Sequence, residues 1–119
     1  MKKSKSIIAL NRKARFNYQI IDQIEVGIVL TGAEVKSIRK GGVSLDNSYA
    51  VDKKGEFWIN NLYVDLKNYE NSAENTNNIR SKKLLLNKTE IYKINMKVKQ
   101  NGLTMIPLDL HFNNKGFIK

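Results

Sequence analysis

Short runs with an apolar residue at every second position place the strongest constraint on how this chain can fold. Phe16, Tyr18 and Ile20 alternate, and so do Val26, Ile28 and Leu30. A period of two puts one set of side chains on one face of a strand, as a half-buried sheet requires. Val43, Leu45, Asn47, Tyr49 and Val51 continue the habit, with Asn47 interrupting the apolar face. Phe57-Trp58-Ile59 and Leu62-Tyr63-Val64 predict an aromatic-rich strand region after the turn Asp52-Lys53-Lys54-Gly55. Ile106, Leu108, Leu110 and Phe112 alternate late in the chain, where Pro107, lacking an amide to donate, marks an edge or a bulge.

Two helices declare themselves at their starts. Thr31-Gly32-Ala33-Glu34 fits a capping box, with Leu30 and Val35 at the flanking apolar positions. Gly41-Gly42 stops that helix, and Arg39 and Lys40 suit its negative end. Asn87-Lys88-Thr89-Glu90 repeats the signal, and Ile91, Ile94 and Val98 form one apolar face that ends before Gly102. The spacing predicts helices near residues 32–40 and 88–101. Several short strands with two helices and no strand–helix–strand rhythm give a mainly β fold with short helices, a small barrel with helices on its rim.

A chain of 119 residues holds one core, so residues 1–119 read as a single domain. Its expected parts include a flexible basic N-terminus over residues 1–6 and a long Asn-rich surface loop over residues 65–79. There is no cysteine, which excludes disulfides and thiolate metal sites. The run Ile7-Ile8-Ala9-Leu10 breaks at Asn11-Arg12-Lys13, too short for a signal peptide, and no apolar run approaches a membrane span. A cytoplasmic protein with no membrane partner is the expectation.

Charge is more informative. The formal net charge of +10 arises from 21 Lys and Arg against 11 Asp and Glu, a balance suited to a polyanionic partner. Much of it is concentrated in Arg12-Lys13-Ala14-Arg15 and Arg80-Ser81-Lys82-Lys83, where dense cations beside loops can neutralise phosphates and release counterions. Trp58, Tyr18, Tyr49 and Tyr63 can serve as base-stacking platforms, although in strands such residues more often pack. Catalytic signatures are missing. The single histidine, His111, has no nucleophile nearby in sequence and reads as a surface or rim residue, the acids are scattered, and Gly41-Gly42 lacks the rest of a phosphate-binding loop. The expected class is a binding protein without cofactor or metal, not an enzyme.

Five blocks, in order, carry a family resemblance. They are Ile8-Ala9-Leu10-Asn11-Arg12-Lys13-Ala14-Arg15, the run from Glu25 to Arg39, Asp46-Asn47-Ser48-Tyr49, Arg80-Ser81-Lys82-Lys83-Leu84-Leu85-Leu86-Asn87, and Gly102-Leu103-Thr104-Met105-Ile106-Pro107-Leu108. Together they resemble the SmpB, or tmRNA-binding, family across almost the whole chain. The resemblance implies an OB-like antiparallel β-barrel that binds the tRNA-like part of tmRNA. It also implies delivery of tmRNA to stalled ribosomes for trans-translation, with elongation factor Tu engaged through tmRNA and the protein a monomer. A generic OB-type ribosomal or RNA-binding protein is the alternative.

The resemblance places RNA contacts at Asn11, Glu25 and Leu85. Local charge adds Arg12, Lys13, Arg15, Arg80, Lys82 and Lys83. Glu25 stands out in a cationic protein, because a carboxylate can accept from ribose hydroxyls or base amino groups and so add discrimination to bulk charge. Glu34 is explained by the capping box alone. Two departures from the family pattern stand in the sequence: the loop before Arg80 is Asn-rich and lacks a proline, and the chain stops at Gly116-Phe117-Ile118-Lys119. The expectation is that the last barrel strand and a basic tail are absent, with RNA binding retained and peptide tagging reduced.

Overall fold

The computed structural model describes residues 6–67, 78–113 and 115–119, with the side chains of Ser6 and Arg15 outside that description. Strand β1 (Ser6–Leu10) pairs antiparallel with the last strand, β8 (Asp109–Phe112), through a register shift between Ile7 and Ala9. A four-stranded antiparallel sheet runs in the order β2 (Gly27–Ile28), β7 (Lys82–Leu85), β5 (Glu56–Asn60) and β4 (Tyr49–Lys53). The short strands β3 (Val43–Ser44) and β6 (Tyr63–Val64) form a third ladder. A bridge between Ala50 and Met105 carries the β4 edge to the segment leading into β8.

All three ladders and a helix meet in one core. Ile38, Leu45, Ile59, Leu62, Val64, Leu66, Leu110 and Ile118 are buried together, with Ile28, Leu84 and Phe112 packed around them. The sheets curl around that core as an OB-like fold, although among the described residues their hydrogen bonds do not close a complete barrel.

The β4–β5 hairpin turns where it is expected. Lys54 and Gly55 both have positive φ, 55° and 82°, as the tight hairpin turn demands, and Asp52 Oδ1 accepts from the Gly55 amide at 3.0 Å. Helix α2 (Gly32–Arg39) carries the predicted capping box, and Ile38 is its fully buried anchor. The third helix, α3 (Lys88–Asn101), has its own box from Asn87 and Glu90 and ends at Gly102 in the left-handed conformation. Ile91, Ile94 and Val98 are only half-buried, so α3 lies outside the core.

Two expectations are corrected. The alternation Phe16, Tyr18, Ile20 is not a strand: residues Arg12–Asn17 form a helix, α1, and no ladder follows until Gly27. Asn11 caps that helix, and Phe16, 90 % exposed, has no core to face. The run from Val43 to Val51 is two strands, because Asn47 takes a left-handed conformation (φ 65°) and turns the chain between them. After β8, Ile118 forms an isolated bridge with Phe112, and the amides of His111 and Lys119 exchange hydrogen bonds with each other's carbonyls at 3.2 and 2.9 Å.

Of the expected 65–79 loop, residues 68–77 lie outside the described residues, as do residues 1–5 of the N-terminal segment. The described ends of the loop are pinned by Asn78, whose carbonyl accepts from Val64 and whose Oδ1 accepts from Leu66, at 2.8 and 3.1 Å. No helix among the described residues is long and apolar enough to cross a membrane.

Candidate nucleic-acid interface

Helix α1 owes its position to Asn11. The Asn11 side chain is buried, its Oδ1 accepting from the Ala14 amide at 3.2 Å and its Nδ2 donating to the Pro107 carbonyl at 3.0 Å. The Asn11 amide also donates to Leu108 at 2.8 Å, so α1 is fastened to the approach to β8. Arg12 and Lys13 then stand exposed on the helix, with Phe16 and Tyr18 exposed beyond them. Cations interleaved with accessible aromatic rings suit a polynucleotide, whose phosphates and bases they can address separately.

The second basic cluster is organised differently. Glu34, 1 % exposed, receives the Arg80 guanidinium in a two-pronged pair, Nη2 to Oε1 at 2.7 Å and Nε to Oε2 at 3.2 Å. Lys82 is wholly buried beside it, with Nζ 3.6 Å from Glu34 Oε2 and donating to the carbonyls of Arg80 and Leu62 at 2.7 and 3.3 Å. Burial alone would raise the Glu34 carboxyl, but the Arg80 hydrogen bonds, the Thr31 amide and the two positive charges outweigh it and hold Glu34 below the ordinary carboxylate value. Lys82 also sits below its ordinary value, because burial and the Arg80 charge exceed the attraction of Glu34.

This corrects the place of Lys82 among the RNA-binding candidates: its ammonium has no surface to offer a phosphate. Arg80 remains partly exposed, yet its guanidinium is already engaged by Glu34. Lys83 reaches the surface and pairs with Glu56 at 2.8 Å across exposed sheet. Glu34 accordingly does more than the capping box suggested, since one carboxylate closes the helix start and pairs with two cations, Lys82 of β7 and Arg80 just before it.

Leu85, at the end of β7, and Glu25, just before β2, lie on the pairing of those two strands. Leu85 pairs with Gly27 and is 52 % exposed. A β-carbon at Gly27 would come within 3.1 Å of Leu85 Cβ, so glycine there lets Leu85 lie close over the strand. Glu25, two residues before Gly27, has Oε2 2.5 Å from His111 Nε2. His111 Nδ1 lies 2.7 Å from Asp109 Oδ1. His111 is 4 % exposed, not the surface or rim residue its isolation in the sequence implied.

A run of contacts thus links the three motif positions: Asn11 to the approach to β8, β8 through His111 to Glu25, and Glu25 along β2 to the Gly27–Leu85 pair. Arg15 lies in α1 near this run, its side chain outside the description. His111 and Asp109 join this run without having stood out as site residues in the sequence. Their spacing of two on a strand, which puts both side chains on one face, was the available signal. The two carboxylates bracket opposite ring nitrogens, so they do not converge on one ion, and no cluster of potential metal ligands occurs among the described residues.

Comparison with known proteins gives this arrangement a family. Residues 8–119 match the family model described as SmpB protein. An SsrA-binding protein of Ehrlichia canis is 47% identical over 113 residues, covering 95% of this chain and 76% of the relative. One of Rhizobium meliloti is 44% identical over 115 residues, covering 97% of this chain and 72% of the relative. A solved structure described as "tmRNA-SmpB: a journey to the center of the bacterial ribosome" superposes with a TM-score of 0.72 at 41% identity, covering 95% of this chain and 78% of that one. With the five sequence blocks, the capped helices and the antiparallel sheets of this chain all lying within the matched span, the chain belongs to the SmpB family.

Proposed function

We propose that this protein binds the tRNA-like domain of tmRNA and delivers it to stalled ribosomes for trans-translation. The observation that carries the reading is the family match over residues 8–119, which spans every described motif of the interface. Within this reading the labour is divided. Arg12 and Lys13, with Arg15 on the same helix, supply the charge that attracts the RNA backbone. Glu25 and Leu85 supply a hydrogen-bond acceptor and an apolar contact that discriminate among RNAs of equal charge. Asn11 acts from beneath, as the buried cap that sets the angle of α1. Lys83 lies at the margin, and Arg80 and Lys82 act by holding β7 to Glu34.

The protein recognises RNA by shape and charge and carries out no covalent chemistry. It works in the cytoplasm as a monomer, and elongation factor Tu joins through tmRNA. A titration of the tRNA-like domain, with tRNA and random RNA of equal length as controls at physiological salt, tests the reading. The tRNA-like domain should bind at least about tenfold more tightly than random RNA, a difference of about 1.4 kcal/mol. Equal affinity for all three would replace it with a generic RNA-binding role, and RNA turnover abolished by a chelator would replace it with an enzyme.

A further inference from the structure

Glu25 is the one acid among the positions assigned to RNA, and an acid facing phosphates is useful only if its oxygens are aimed. A glutamate on a surface samples many rotamers, and fixing it on binding costs affinity. Here the fixing is already done: His111 Nε2 holds Oε2 at 2.5 Å, while half of the Glu25 side chain stays accessible. The ring cannot swing away, because it is buried in β8 and Asp109 Oδ1 faces its other nitrogen at 2.7 Å. Asp109 is itself largely covered, so a buried ring sits between a covered carboxylate and a half-open one. A ring protonated at both nitrogens donates to both acids, whereas a neutral ring leaves one lone pair against a carboxylate oxygen.

From this geometry we infer that His111, set by Asp109, is a positioning residue for RNA recognition, fixing Oε2 of Glu25 so that the other oxygen is presented as an acceptor to tmRNA. The inference rests on the proposed role of Glu25 as an RNA contact. It separates His111 from an ordinary core histidine, because the group it holds is half outside.

A double-mutant cycle on the 119-residue chain tests it. His111→Phe keeps a ring of similar size and removes the donor, His111→Gln restores a side-chain N–H, and Glu25→Ala removes the acceptor. Affinity is measured for the tRNA-like domain and for random RNA, with urea unfolding beside each variant. His111→Phe should weaken binding of the tRNA-like domain by about threefold to tenfold, the cost of ordering one long side chain, and leave random RNA unchanged. His111→Gln should recover part of the loss, and His111→Phe should have no further effect in the Glu25→Ala background.

Equal losses for both RNAs, or losses that multiply in the double variant, would overturn the inference and leave His111 a structural residue. Normal binding by folded Glu25→Ala would instead refute the role of Glu25 itself. Should His111→Phe not fold, nitrogen NMR of the His111 ring decides: its Nε2–H signal should move when Glu25 becomes Ala, and an unmoved signal would contradict the contact.

Discussion

Two stretches of this chain, Arg12–Arg15 and Arg80–Lys83, have nearly the same composition and opposite fates. On α1, Arg12 and Lys13 are exposed, and among the described residues no acid pairs with either. On β7 and just before it, Arg80 and Lys82 converge on the buried Glu34, and Lys83 pairs with Glu56. The difference follows from secondary structure and from what lies opposite. A short helix projecting from its Asn11 cap meets only solvent on its outer side. A central strand alternates its side chains, and Lys82 faces inward beside Ile59, its ladder partner. Density of positive charge along a sequence therefore says less about which cations stay free of an ion pair than the presence of an acid within reach.

The sharpest way to break the comparison is to remove Glu34. Glu34→Ala leaves Lys82 buried with its charge unpaired, and unfolding in urea should show stability lowered by about 3–5 kcal/mol. A decrease below about 1 kcal/mol would mean that the β7 cations are not held from within.

Acid should unmake the same cluster more gradually. Because Glu34 is held below its ordinary value, the unfolded chain takes up its proton first as pH falls. The Glu34 contribution is therefore complete above the ordinary glutamate range and disappears as pH falls through the lower folded value. Urea midpoints followed from neutral pH downwards should decline over that range, and Glu34→Gln should flatten this part of the decline. An unchanged profile in Glu34→Gln would assign acid sensitivity to other groups.

Lys83 should matter least. Its pair with Glu56 is exposed on both sides, and such pairs contribute up to about 1 kcal/mol. Lys83→Ala should stay within that limit in urea unfolding, and a larger effect would show that β7 depends on the surface pair as well.

The sequence made the local devices legible and the tertiary ones obscure. Both capping boxes, the Lys54-Gly55 turn and the strand cores around Phe57 and Ile59 depend on neighbours within a few residues, and the structure has them as expected. Residues 16–20 alternate, but a periodic pattern becomes a strand only where a partner edge and a core receive it; here the helix capped by Asn11, itself tied to the Pro107 carbonyl 96 residues away, takes in Phe16 and Asn17, and residues 18–20 join no ladder. The buried state of Lys82 and the Glu25–His111 contact likewise join segments 48 to 86 residues apart, and no local spacing announces them.

The most direct test of the contrast is the salt dependence of binding to the tRNA-like domain. Removing one phosphate-neutralising cation should lower the slope of log affinity against log salt by roughly 0.7–0.9. Affinity is measured from low to high salt for wild type, for the Arg12→Ala/Lys13→Ala double variant and for Lys83→Ala, all confirmed folded. The account predicts a slope shallower by roughly 1.4–1.8 for the α1 pair, and for Lys83 a change smaller than one neutralised phosphate gives. A wild-type slope in the α1 variant together with a flattened slope in Lys83→Ala would contradict it, placing the RNA backbone on β7 instead.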